Sequence, residues 1–207
     1  MIDCGRRLPP GIFLPWVLAM GMCAGNACAQ LRATPVTVSG VAYELEGYSI
    51  LPPQGKDWFE LKRDLRTVFF GKKIVSRTHA FIATAVSAPI TEKFENPETF
   101  RDYVSRNLPL RGDRRHTVIE NRVEVDNRLG RFCVRHYTKA EDRDAPYALG
   151  KTLLAETFGV SCLHPDNASL NISVSYTERG NPAEASAELR AEGESFVRSL
   201  KFTPHRP

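Results

Sequence analysis

The sequence predicts an α+β domain: a twisted antiparallel β-sheet of about seven strands with two helices packed on it. Three observations carry this reading. Short β-rich runs recur with hairpin-length connections between them. Only two segments pair a helix start with apolar residues at helical spacing. Strands and helices do not alternate as they do in a parallel β-α-β sheet.

Residues 48–51 form a short strand ended by Pro52-Pro53 and Gln54-Gly55, and residues 58–61 form the next. Residues 67–70 follow, with Gly71 as a break and 72–75 beyond it. Residues 78–86 are apolar on both sides and read as a central strand buried on two faces, closed by Pro89. Asn96-Pro97-Glu98 opens the first helix: Asn caps, Pro is preorganised for the first turn, and Glu meets the positive end of the dipole. Phe100, Tyr103, Val104 and Leu108 then recur at helical spacing until Pro109 stops the pattern before the arginine-rich stretch at Arg111, Arg114 and Arg115.

Residues 117–125 read as a strand with Val118, Glu120, Arg122 and Glu124 on one face and Ile119, Val123 and Val125 on the other. Asp126-Asn127 and Gly130 turn the chain into residues 132–137, completing an antiparallel hairpin. Residues 139–150 read as a polar loop and 151–164 as a long strand. Leu170, Ile172, Val174 and Tyr176 alternate with Asn171, Ser173 and Ser175, the pattern of a half-buried strand. Asn181-Pro182 with Glu184 repeats the helix-start signature, and Leu189, Phe196, Val197 and Leu200 make one helical stripe. Residues 201–203 add a last short strand.

Ahead of these elements, Arg6 and Arg7 precede an apolar run over residues 12–23, and small residues lead to Ala27-Cys28-Ala29 before Gln30. This is the layout of a secretory signal peptide cut between Ala29 and Gln30. The chain is thereby divided into a signal peptide (1–29), a flexible tether or loose first strand (30–42) and one α+β domain (43–207), with the mature protein expected in the periplasm. Lipid attachment at Cys23 or Cys28 is the alternative to simple cleavage, but neither has the large aliphatic residue expected ahead of it. Of five cysteines, Cys4, Cys23 and Cys28 leave with the leader. Cys133 and Cys162 remain, and two cysteines in an oxidising compartment predict one disulfide, provided their strands are neighbours.

Lys and Arg number 28 against 24 Asp and Glu, a net charge of +4 for the whole chain. The signs are interspersed, which argues against a nucleic-acid binder with its concentrated basic face. No apolar run after the leader approaches the roughly 20 residues that cross a bilayer.

None of the five histidines, His79, His116, His136, His164 and His205, stands at a metal-ligand spacing such as H-E-x-x-H. His136 and His164 lie near the two cysteines, so strands paired through the cysteines would allow a Cys/His cluster; polar residues on partly exposed strands are the simpler reading. There is no G-x-S-x-G elbow, no P-loop and no G-x-G-x-x-G run. Glu141-Asp142-Arg143-Asp144 lacks the glycine and spacing of a calcium loop. No catalytic, cofactor-binding or metal-binding residue is assigned, and no cofactor is expected. Trp58-Phe59 before Lys62-Arg63, and Phe69-Phe70 before Lys72-Lys73, offer a basic aromatic rim for an anionic or aromatic ligand. Core aromatics with lysines guarding edge strands are the preferred reading.

Several segments carry a resemblance: Trp58 after Pro-Pro-Gln-Gly, Phe70-Gly71-Lys72, Arg131-Phe-Cys-Val-Arg135, Cys162-Leu-His-Pro165, Tyr176-Thr-Glu-Arg-Gly180 and Arg190-Ala-Glu-Gly-Glu-Ser-Phe196. In these the chain resembles a family of uncharacterised secreted, periplasmic proteins of proteobacteria. The resemblance covers most of the mature chain and implies export, with no activity attached. In architecture alone the chain is similar to the fold of the photosystem II extrinsic subunit P, which carries no function across. The functional expectation is an exported, non-catalytic periplasmic accessory or binding protein whose partner is a protein or envelope component. The alternatives are a periplasmic hydrolase using His116, His136 or the acids of 139–150, and an envelope-associated, lipoprotein-like interaction module.

Overall fold

Leu170, Ile172, Val174 and Tyr176 are buried and the residues between them are not, so this alternation is the pleat of one long strand. Around it the chain lays down β1 (Thr34–Pro35), β2 (Tyr43–Leu45), β3 (Tyr48–Ile50), β4 (Trp58–Arg63), β5 (Thr67–Lys72) and β6 (Ala80–Pro89). Then come α1 (Pro97–Arg106), β7 (His116–Val125), β8 (Cys133–Asp142), β9 (Leu153–His164), β10 (Asn167–Gly180), α2 (Ala187–Arg198) and β11 (Lys201–Phe202). The structure, a computed structural model, describes residues 33–37, 40–108, 115–143, 145, 148 and 150–204. The leader with its Ala29–Gln30 junction, Arg111 and Arg114, Asp144 and His205 lie outside these residues.

Eight strands form one antiparallel sheet in the order β1-β4-β5-β6-β10-β9-β8-β7, and β11-β3-β2 form a second, small sheet. The two helices cover opposite faces of the large sheet. Phe196 and Val197 of α2 join Val68, Phe70, Ala83, Cys133, Cys162, Ile172 and Val174 in the main core. Phe100 and Val104 of α1 pack with Val134 and Leu163, the next residues along β8 and β9, which a pleat turns to the other face.

This corrects the expected fold class. The protein is mostly β: eleven strands among the described residues, in sheets of eight and three, with two helices packed on them. The strand count rises for two reasons. The two-residue strands β1 and β11 exist only because β4 and β3, distant in sequence, supply their hydrogen-bond partners. Long neighbours also extend the ladder through polar sequence. β8 continues to Asp142 because β9 pairs with it residue for residue, so the expected loop at 139–150 starts later, and β10 runs on to Gly180 for the same reason. β5 likewise passes through Gly71 to Lys72.

Two further corrections are local. A bulge between Val118 and Glu120 on β7 turns Ile119 outward, 55% exposed, instead of toward Val123. The Asn181-Pro182-Glu184 signature builds a single 3-10 turn; α2 is capped later by Ser186, whose Oγ accepts the Leu189 N–H at 3.4 Å. The first helix matches its signature. Asn96 Oδ1 accepts the Thr99 N–H at 2.9 Å, and Pro97 occupies the first turn. Asn96→Ala therefore lowers the unfolding free energy by about 1 kcal/mol. Urea denaturation checks this against Asn96→Ser, which keeps a capping oxygen.

Cys133 and Cys162 stand directly opposite on β8 and β9 with their Cα atoms 4.1 Å apart and their sulfurs at disulfide distance. The Leu163 N–H bonds the Phe132 carbonyl at 2.9 Å, so the pair occupies a non-hydrogen-bonded position, where side chains approach most closely.

Candidate functional site

The register of β8, β9 and β10 places Tyr137, Phe158 and Tyr176 in one cross-strand row, and Lys139, Glu156 and Glu178 in the next row on the same face. The apolar core of that face thus ends in an aromatic row and then a charged one. α2 lies over this edge. Gly193 lets it do so, because a Cβ there would come within 2.5 Å of the Tyr176 ring. That contact accounts for a glycine inside a helix, where it costs about 1 kcal/mol relative to alanine. Arg190, one turn before Gly193, and Glu194, the residue after it, line the groove beside the two rows.

Between the helix and the rows runs a shallow groove made of two concavities of about 190 Å³ each, which share Glu156, Glu178 and Arg190. Glu156 is its hub. It accepts Tyr137 Oη at 2.8 Å, Lys139 Nζ at 3.1 Å and Arg190 Nη2 at 3.2 Å. Burial alone would raise this carboxyl; the hydrogen bonds from Tyr137 and Lys139 and the nearby cations outweigh burial and hold it below its ordinary value. The Tyr137 hydroxyl is pushed up to about 12, by burial first and then by its bond to Glu156. At the rim, His79 Nε2 and Glu178 Oε1 lie 2.9 Å apart, both largely buried. The groove offers carboxylate and phenol acceptors, an aromatic floor and one imidazole–carboxylate pair.

Of the described histidines, only His79 borders this groove; Tyr176, Glu178 and Arg190, which lie in segments quoted for the resemblance, line it as well. His136 and His164 do not meet, although their strands pair through the cysteines. The pairing is antiparallel, so His136 faces Gly159 on one side of the bridge while His164 lies beyond it on the other. His164 bonds the Thr203 carbonyl at 2.8 Å and the Asp166 N–H at 3.1 Å. His116 approaches Asp142 at 3.8 Å, on the opposite face of the sheet from the groove. Among the described residues no three His, Cys, Asp or Glu side chains converge to hold a metal ion. Trp58 and Phe70 are core residues, and Lys72 is held beside Trp58 by Glu192 of α2 rather than standing in solvent.

His136 is buried with neither ring nitrogen hydrogen-bonded among the described residues. Glycine at 159 makes its room, since a Cβ there would lie 2.7 Å from His136 Cε1. Burial lowers its pKa from 6.5 to about 4. Above pH 6.5 the ring is neutral in folded and unfolded chains alike. Between pH 6.5 and about 4 only the unfolded chain takes up the proton, so stability falls by about 3 kcal/mol over that window. His136→Phe flattens that slope by one proton, which unfolding curves at pH 7.5 and pH 4.5 detect. An unchanged slope would show that the imidazole does not govern acid sensitivity.

No family model and no curated protein matches the chain. A solved structure with a related course is the Saccharomyces cerevisiae Ran-binding protein Mog1p, which is 9% identical with a TM-score of 0.40. The match covers 78% of this chain and 95% of that one. A likeness of that degree transfers no property to this chain.

The groove was missed because its residues are spread over three strands and a helix. A faint signal exists: Tyr137/Lys139, Phe158/Glu156 and Tyr176/Glu178 are each an aromatic two positions from a charge. On a strand that spacing puts both on one face. Only the register shows that the three pairs align.

Proposed function

We propose that this protein is an exported periplasmic binding module that holds its ligand in the groove between α2 and strands β8–β10. The observation that carries this reading is the build of Glu156. Three donors from β8 and α2 hold its carboxylate, so the groove's polar groups are fixed before a ligand arrives, and preorganised groups lose little on binding. Export is supported by the leader layout at Arg6, Arg7 and Ala27-Cys28-Ala29, and by two cysteines placed to bridge. Two measurements test it. Protein expressed with its leader is recovered from the periplasm beginning at Gln30. Affinity capture from the same fraction yields a ligand or partner that Phe158→Ala loses and Glu98→Gln, on the far helix, retains. Equal capture by both variants would remove the groove from the proposal.

The His79–Glu178 pair supports a second reading, a hydrolase in which Glu178 orients His79 as a general base. Turnover of ester or amide substrates that vanishes in His79→Gln while the fold persists would favour it over binding alone.

A further inference from the structure

Resting on the groove as the binding site, we infer that its aromatic end takes an organic cation, an alkylammonium or guanidinium group. Tyr176 is the starting point. Its side chain is 94% buried, with one ring face stacked on Phe81 and Gly193 against it. Its hydroxyl lines the concavity and has no hydrogen-bond partner among the described residues. The hydroxyl is not one of the buried polar atoms sealed off without a partner; it is open to a hydrogen bond from a ligand in that space. Three carboxylates, Glu156, Glu178 and Glu194, line the same concavity against one guanidinium, Arg190. Burial first, and then the charge of Glu194, pushes the Tyr176 hydroxyl up, with Arg190 opposing.

The ligand is therefore a positively charged hydrogen-bond donor that bonds Tyr176 Oη and takes Glu178 or Glu194 as counter-ion. Glu194 pairs with Arg198 at the surface, a partner an incoming cation can displace. The half-buried Phe158 ring beneath gives an alkyl stem or cation a face to lie on. A bare metal ion does not suit, because the carboxylates do not converge to coordination distance. A volume of about 190 Å³ admits a head group and a short stem rather than a whole ligand of ordinary size.

Calorimetric titration of the secreted, leader-cleaved protein at low salt tests this. The probes are n-butylammonium, 1,4-diaminobutane, a blocked Gly-Lys-Gly peptide and neutral 1-butanol. The ammonium probes bind, 1-butanol binds at least about tenfold more weakly, and added salt weakens only the cations. Tyr176→Phe keeps the ring packing and loses about tenfold in affinity, as does Glu178→Gln. If Glu178→Gln fails to fold, Tyr176→Phe decides. The peptide binding more tightly than the diamine marks a basic side chain of a protein as the natural source; the reverse marks a small polyamine. Equal binding of butanol and butylammonium, or no ammonium binding up to about 10 mM, overturns the inference. A neutral or anionic compound that binds wild type but not Phe158→Ala overturns the cation while sparing the groove. Capture that is indifferent to Phe158→Ala overturns both.

Discussion

Replacing Asp142 with alanine is expected to lower the unfolding free energy by about 3 to 4 kcal/mol. The Asp142 carboxylate is completely buried at the end of β8. Arg115 grips it with two bonds of 2.6 Å, Arg179 of β10 approaches at 3.6 Å and His116 at 3.8 Å. One carboxylate therefore ties together chain at the ends of three strands. Removing it takes the buried carboxylate away from both guanidiniums. Burial and the neighbouring Arg115 already hold the Arg179 guanidinium below its usual pKa, with Asp142 opposing them, so the loss falls on a group poorly placed to bear it. The figure stays near the low end of buried-pair losses because each arginine keeps about a quarter of its side chain in solvent. Asp142→Asn retains an acceptor and loses less. Asp142→Leu combined with Arg179→Leu recovers part of the loss, since a matched apolar pair avoids the stranded charge. Urea unfolding of the four proteins checks the order; a loss under about 1 kcal/mol for Asp142→Ala would show that water reaches the cluster freely.

The same residue shows where sequence reading stops. Within Glu141-Asp142-Arg143-Asp144 nothing separates Asp142 from its neighbours, and a solvated loop is the natural reading. Its burial is imposed by Leu153, its partner on β9, and by Arg115, neither of which is near in sequence. Features that depend on adjacent residues were legible: the Asn96 cap on α1, the alternation of Leu170 to Tyr176, and the apolar stripe of Phe196, Val197 and Leu200. Features that depend on register were not. The groove needs Tyr137, Phe158 and Tyr176 level with one another, and a shift of one residue on any of the three strands would send that ring to the opposite face. The bulge that exposes Ile119 belongs to the same class. The sheet also absorbed polar stretches that carry no strand signal, which is why the fold is more β than its local patterns predict.

The second large expected effect is loss of the Cys133–Cys162 bridge. The cysteines are 29 residues apart, and closing a loop of that length in the unfolded chain corresponds to about 3.5 kcal/mol in the chain-entropy treatment. The loop spans β8 and β9, the two strands that position Tyr137, Lys139, Glu156 and Phe158 in the groove. Both cysteines are buried in the main core, so Cys133→Ala with Cys162→Ala, rather than a serine pair, removes the cross-link without burying hydroxyls. The double variant is expected to unfold at correspondingly lower urea, and its binding of any groove ligand to weaken as the two strands gain freedom. Secreted protein shows one bridge and no alkylatable thiol in non-reducing mass analysis, whereas protein made without residues 1–29 in a reducing cytoplasm shows two thiols and the stability of the double variant. Two free thiols in secreted protein would mean that the aligned cysteines remain reduced, and would remove one of the two supports for an oxidising destination.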